Sequence, residues 1–181
     1  MIDEIMEYNR KFVENKGYEP YLTSKYPDKK LAILTCMDTR LLELLPAALG
    51  IKNGDAKIIK NAGGVIVHPY GSVVRSLLVG ILELGVEEVM VIGHTDCGVQ
   101  GMDGNEMLEK LVERGIDQQH IDIVRHSGID LERWLGGFES VESSVHETVR
   151  RLKDHPLMPK NVRISGFIMD SATGELTRVE E

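Results

Sequence analysis

At 181 residues the chain has the length of one domain, and 21 Lys and Arg against 29 Asp and Glu leave a net charge of −8, which excludes a nucleic-acid binder that works by neutralising phosphates. Hydrophobic residues at 42% and charged residues at 28% are globular proportions and exclude a disordered chain. Asp3, Glu4 and Glu7 stand where a secretory signal needs a basic start, and Arg75, Glu83, Glu87 and Glu88 interrupt the most apolar stretch, 73–93, so neither export nor a membrane span is expected.

Ile2, Ile5, Met6, Phe12 and Val13 recur at helical spacing over residues 1–16, with Asn9 as a polar break. Pro20, Pro27, Tyr18, Tyr21 and Tyr26 then predict an extended arm, so that residues 1–29 form a helix and arm ahead of the core. Packing on its own domain and reaching across to a partner subunit account for this arm equally well. The apolar run Leu31–Met37 predicts a strand buried on both faces, and residues 40–49 a short helix stopped by Gly50. A second strand is expected over 56–60, closed by Asn61-Ala-Gly-Gly64. Val73, Val74, Leu77, Leu78, Ile81 and Leu82 form a broad helical stripe ended by Gly85. A third strand follows over 88–93, then a helix over 102–114 with Met107, Leu108 and Leu111 inward. Phe138, Val141, Val145, Val149 and Leu152 mark another amphipathic helix, broken by Pro156 and Pro159. A fourth strand is expected over 162–169, and after the turn at Ala172-Thr-Gly174 residues 176–179 are placed to add an antiparallel edge strand.

Strands alternating with helices predict an α/β fold, with a mostly parallel central sheet in the order 2-1-3-4 flanked by helices and preceded by the N-terminal helical arm. No repeat or linker divides the chain, so one domain is expected over residues 1–181. In such a sheet ligands sit at the carboxyl ends of the strands where their order reverses, here between the first and third. The expected compartment is the cytoplasm, where two cysteines near histidine and aspartate favour metal binding or catalysis over a disulfide.

The first strand ends in Thr35-Cys36-Met37-Asp38-Thr39-Arg40 and the third in Gly93-His94-Thr95-Asp96-Cys97-Gly98. Two thiolates and an imidazole are good zinc ligands, and the i, i+3 spacing of His94 and Cys97 lets both face one point. Three protein ligands leave a fourth tetrahedral position open, as in catalytic sites. A buried cysteine on its own is usually a small hydrophobe; it is the two halves falling at the predicted switch point that favours a metal. Asp38 and Arg40, taken alone, read as a helix-start carboxylate and a surface cation, and their place beside Cys36 favours function. Asp96 reads as a turn residue, with an acceptor role behind the ligands as the alternative. Gly63 and Gly64 lack a phosphate-loop pattern and read as close backbone packing near the metal.

Cys-x-Asp-x-Arg after the first strand, Asn-Ala-Gly after the second and His-x-x-Cys-Gly after the third resemble the β-class carbonic anhydrases, and the short length and the CMDTRL wording resemble their small prokaryotic branch. The resemblance runs from about Lys30 to Gly104 and more loosely through the last strand. It implies Cys36, His94 and Cys97 as zinc ligands, with Asp38 and Arg40 as a dyad beside the fourth position. It implies reversible hydration of carbon dioxide to bicarbonate and a proton by a zinc-bound hydroxide, and a homodimer or a multiple of one. Two thiolates cancel the metal charge, so its water should be less acidic than the value of ~7 found with three histidines, with Arg40 offsetting part of that. Asp38 is also near enough in sequence to become the fourth ligand in a closed state, with Arg40 holding it off in the open one. In the plant-like branch a glutamine and two aromatics shape the pocket; no residue here is assigned to those roles.

Other readings remain open beside this one. Carbon disulfide or carbonyl sulfide hydrolysis would use the same zinc scaffold on small linear substrates. A cysteine nucleophile with a histidine base is a different class of enzyme, although its phosphatase form needs a longer loop than 36–40. A zinc-binding module without turnover is a third. Of the other histidines only His68, after the glycine loop, has a route to the crevice, and the weight falls against it. His120, His126, His146 and His155 lie in polar segments and are read as solvated. Trp134 receives no role.

Overall fold

A computed structural model describes residues 1–180. Helix α1 (Ile2–Glu14) leads through the arm, which carries one 3-10 turn at Glu19–Tyr21, into strand β1 (Leu31–Cys36). Short helix α2 (Leu44–Ala48), β2 (Ala56–Asn61), α3 (Ser72–Leu84) and β3 (Glu88–His94) follow. Then come α4 (Gly104–Glu113), α5 (Gln118–His126), α6 (Leu131–Leu135), α7 (Val141–Lys153), β4 (Arg163–Met169) and β5 (Leu176–Arg178). The strand order is β2-β1-β3-β4-β5, with β5 antiparallel to β4 and every other pairing parallel.

The strands read as continuous apolar runs because helices cover both faces. On one face Ala32, Leu34, Val89, Val91 and Ile164 meet Val74 and Leu77 of α3 and Val145, Val149 and Leu152 of α7. On the other, Ile33, Ile92 and Met169 meet Leu41 and Leu45. Each Leu or Ile fully buried in this way contributes about 1.5–3 kcal/mol. Helix α7 sits close on the sheet: a Cβ on Gly93 would lie 2.7 Å from Val141 and Val145, and one on Gly166 would lie 2.6 Å from Val145.

Two expectations are corrected, and one stretch without an expected element proves to be helical. The helix expected over 40–49 is split into a 3-10 turn at Thr39–Leu41 and α2, because the Asp38 carboxylate caps the Arg40 amide and starts a tight turn of its own. The sequence predicts no element for the polar stretch after α4. It holds α5 and α6, which with α4 close a satellite cluster of Leu108, Ile121 and Leu131. Leu111, expected inward, lies at the edge of solvent. The caps Asp117 and Asp130, each accepting a backbone N–H, were the available signals for the two missed helices.

Helix α1 buries none of its residues; Ile2, Ile5, Met6 and Val13 are exposed along it. The arm behind it is tied down, with Asp28 and Lys29 donating their amides to the carbonyls of Gly54 and Asp55. Among the described residues no helix is long and apolar enough to cross a membrane.

Candidate metal centre

Parallel pairing of β1 with β3, from Leu31↔Glu88 to Thr35↔Ile92, delivers Cys36 and His94 to the same end of the sheet. Cys97 follows after the turn at Thr95 and Asp96. The three side chains are buried, and their ligand atoms all lie within 4.8 Å of one another. The two Sγ atoms are 3.9 Å apart. Two sulfurs on a tetrahedral zinc, each at ~2.3 Å, would be separated by ~3.8 Å.

Imidazole chemistry favours the same use. His94 Nδ1 lies 2.9 Å from the Thr95 carbonyl oxygen, which can only accept, so Nδ1 carries the proton and Nε2 presents its lone pair. Nε2 is buried and has no hydrogen-bond partner. An orphaned buried nitrogen facing two sulfurs is costly in a finished core, and a metal ion removes the cost. The donor set therefore fits zinc. Burial, with Cys36 alongside, pushes the Cys97 thiol up in the metal-free protein.

The glycine loop closes over this end of β1. Gly64 has φ 65°, and a Cβ there would lie 2.9 Å from the Thr35 carbonyl carbon and 3.0 Å from the Cys36 nitrogen. Asn61 braces the loop: its Nδ2 donates to the Val65 carbonyl at 2.7 Å and its Oδ1 accepts the Val65 amide at 3.1 Å. The close packing expected of both glycines is directed at a candidate ligand's own backbone at Gly64, whereas Gly63 faces the Phe138 and Val99 side chains.

Arg40 joins the two motif loops. Its Nε and Nη2 donate to the two Asp38 oxygens at 3.0 and 2.8 Å, a bidentate pair. Its Nη1 donates to Asp96 Oδ2 at 2.8 Å, and Nη2 donates again to the Asp96 carbonyl at 2.7 Å. Arg40 holds the Asp38 carboxyl far below the usual carboxylate range, and Asp38 and Asp96 together raise the guanidinium further. Asp38 Oδ2 lies 3.9 Å from His94 Nε2. Asp96 sits in its turn as expected, with φ 53°, and it also grips Arg40, a contact the sequence did not indicate.

Two neighbours went unread in the sequence. Lys60 Nζ donates to the Leu41 carbonyl at 3.2 Å; burial lowers its pKa, opposed by the charges of Cys36 and Asp38. Phe138, expected to open a helix, precedes α7 and packs with Val99 against the cluster that holds both cysteines. Nothing in its spacing marked that place, because a parallel bridge from Gln100 to Phe138 brings it there. His68 is exposed and outside the centre. His155, read as solvated, is buried: its Nε2 lies 2.9 Å from the Pro69 carbonyl and its Nδ1 accepts the Leu157 amide, so both nitrogens are engaged.

The carbonic anhydrase family model matches residues 31–176. YvdA of Bacillus subtilis (strain 168), provisionally named a carbonic anhydrase, is 52% identical over 175 residues, covering 97% of this chain and 89% of its own length. The crystal structure of β-carbonic anhydrase isoform I from Trichomonas vaginalis superposes with a TM-score of 0.88 at 34% identity, covering 99% of this chain and 97% of that one. A carbon disulfide hydrolase of Saccharolobus solfataricus is 32% identical over 163 residues, covering 83% of this chain and 78% of its own length. An apo structure of a carbon disulfide hydrolase superposes with a TM-score of 0.72 at 26% identity, covering 99% and 92%.

Proposed function

The chain belongs to the β-class carbonic anhydrase family, and on that premise we propose that it catalyses the reversible hydration of carbon dioxide to bicarbonate and a proton, with zinc held by Cys36, His94 and Cys97. The observation that carries the ligand assignment is the unpartnered Nε2 of His94, buried and facing the two cysteine sulfurs. Zinc bound there would supply a Lewis acid that makes a neighbouring water more acidic than bulk water.

The chain's own residues do the rest. Asp38 accepts a hydrogen bond from the attacking water and so directs an oxygen lone pair at the substrate carbon. Because Arg40 keeps the Asp38 carboxyl ionised, the group is an acceptor at every working pH. Arg40 also occupies both Asp38 oxygens, which holds the carboxylate away from the donor set. Released from Arg40, Asp38 is the residue we assign as fourth ligand in a closed state. Phe138 and Val99, packed against the cluster that holds both cysteines, make its surroundings apolar, which suits a small uncharged substrate.

Carbon disulfide is the second substrate to weigh, since its hydrolases are relatives. The higher identity to a relative named as a carbonic anhydrase, 52% against 32% for a carbon disulfide hydrolase, favours carbon dioxide. The partner proposed for α1 is a second copy of this chain. A helix this short is marginal alone in water, and among the described residues nothing buries Ile2, Ile5, Met6 or Val13 along it.

Elemental analysis together with stopped-flow hydration of carbon dioxide, run in parallel with carbon disulfide, tests the reading. About one zinc per chain and turnover of carbon dioxide are expected. Zinc below about a third per chain after reconstitution, or turnover of carbon disulfide alone, overturns it.

A further inference from the structure

The Arg40 guanidinium has five N–H donors, and four are placed. Nε and one Nη2 hydrogen go to Asp38, the other Nη2 hydrogen goes to the Asp96 carbonyl, and one Nη1 hydrogen goes to the Asp96 carboxylate. Asp38 and Arg40 both stand on the 3-10 turn that follows β1, only two residues apart. Held only by each other, they could swing together about that turn. Asp96 belongs to the other loop, between His94 and Cys97, and is the contact that ties the pair to the end of β3.

We infer that Asp96 is a positioning residue, which fixes the guanidinium plane of Arg40 and through it the place of the Asp38 carboxylate. The inference rests on the proposed reaction. Its backbone serves the same end. With φ 53° Asp96 occupies the left-handed region, which Asp and Asn tolerate better than other side chains. In this conformation its carbonyl and its carboxylate reach the same guanidinium.

A purely stabilising role fits poorly. The Asp96 side chain is 86% exposed, and ion pairs so open to water contribute little to folding. Orientation is another matter, because small displacements at a reacting centre cost rate without costing stability. The effect of Asp96 therefore belongs in kcat and not in folding or metal content.

Two variants separate side chain from backbone. Asp96→Gly keeps the left-handed turn at no steric cost and removes the carboxylate. Asp96→Asn keeps both the turn and an acceptor oxygen for Nη1. We expect Asp96→Gly to lower kcat about threefold to tenfold with KM within about twofold and zinc content unchanged, and Asp96→Asn to recover most of the loss. A second readout does not depend on turnover: solvent exchange of the Arg40 Nε–H in 15N-labelled protein, identified by its absence in Arg40→Lys. Exchange should quicken in Asp96→Gly and return toward wild type in Asp96→Asn. An inactive wild type would count against the proposed reaction, and the exchange measurement would still decide the role of Asp96. Wild-type exchange in Asp96→Gly overturns the inference, and so does wild-type kcat in Asp96→Gly of an active enzyme.

Discussion

Cys36 Sγ and Cys97 Sγ lie 3.9 Å apart, although 61 residues separate them along the chain. One ends a strand and the other follows its parallel neighbour, so the sheet makes the contact that the chain does not. Buried sulfurs at that spacing, with an imidazole lone pair beside them, make metal content the first quantity to measure.

Cys97→Ala should strip the protein of metal. It leaves one thiolate and one imidazole, too few to hold zinc against dialysis, so content should fall below about a tenth of an ion per chain. Atomic emission on protein purified without chelators checks this. A variant that retains zinc would show that Cys97 is not a ligand.

Metal uptake should release protons. Burial holds the Cys97 thiol protonated through neutral pH in the metal-free protein, whereas the bound form is the thiolate. Apparent zinc affinity should therefore rise with pH, by about tenfold per unit for each thiol that must ionise. Titration calorimetry in buffers of different ionisation enthalpy counts the protons, and at least about one per ion is expected between pH 6 and 8.

Activity should rise above neutral pH, because two thiolate ligands leave the water less acidic than three histidines would, and Arg40→Ala should move that rise to higher pH and lower activity about tenfold or more, some 1.4 kcal/mol of transition-state stabilisation, while zinc content stays near normal. The sign for Asp38 follows from its depressed carboxyl. Its stabilising pairing is complete above the ordinary carboxylate range near 3.9 and is lost only as pH falls through the lowered value. Without Arg40 its pKa moves back up toward that range and still leaves it ionised at neutral pH. The displaced profile would therefore report the loss of the cation and not protonation of Asp38. A stopped-flow pH profile unchanged in Arg40→Ala would remove the dyad from the mechanism.

Gly64→Ala should destabilise the fold by about 2 kcal/mol or more, because it combines backbone strain with a clash. The added Cβ meets the Thr35 carbonyl carbon at 2.9 Å in a residue with φ 65°, and neither neighbour is a side chain that can move aside. Urea denaturation gives the loss. Weakened zinc retention should accompany it, since the displaced backbone is that of Cys36.

Light scattering at micromolar concentration should return twice the chain mass or a multiple of that. Deleting residues 1–26 should shift the mass toward that of one chain before it disturbs zinc content, because α1 is uncovered while the donor set lies in the sheet. A monomeric full-length protein would leave the apolar stripe of α1 without the partner proposed for it.

The strands and the main helices were legible from period and punctuation. Leu31–Cys36 and Glu88–His94 are apolar because both their faces are covered, and Gly85, with φ 74° at the end of α3, shows why a glycine stops that helix. The side chains that meet in the candidate site were equally legible as a group, since Cys36, Asp38, Arg40, His94 and Cys97 fall in two short segments at strand ends. The packing that completes the site was not. His155 lies in a polar run, yet the fold turns it inward to bond Pro69, which is 86 residues away. Phe138 reaches the cysteine cluster through a bridge to Gln100, and Asp96 reaches Arg40 only because β1 and β3 run side by side. Local pattern records which face of an element is apolar and which residues can bond within a turn. Contacts between residues distant in sequence depend on strand order and on which loops meet at a sheet end, and only the folded chain decides those.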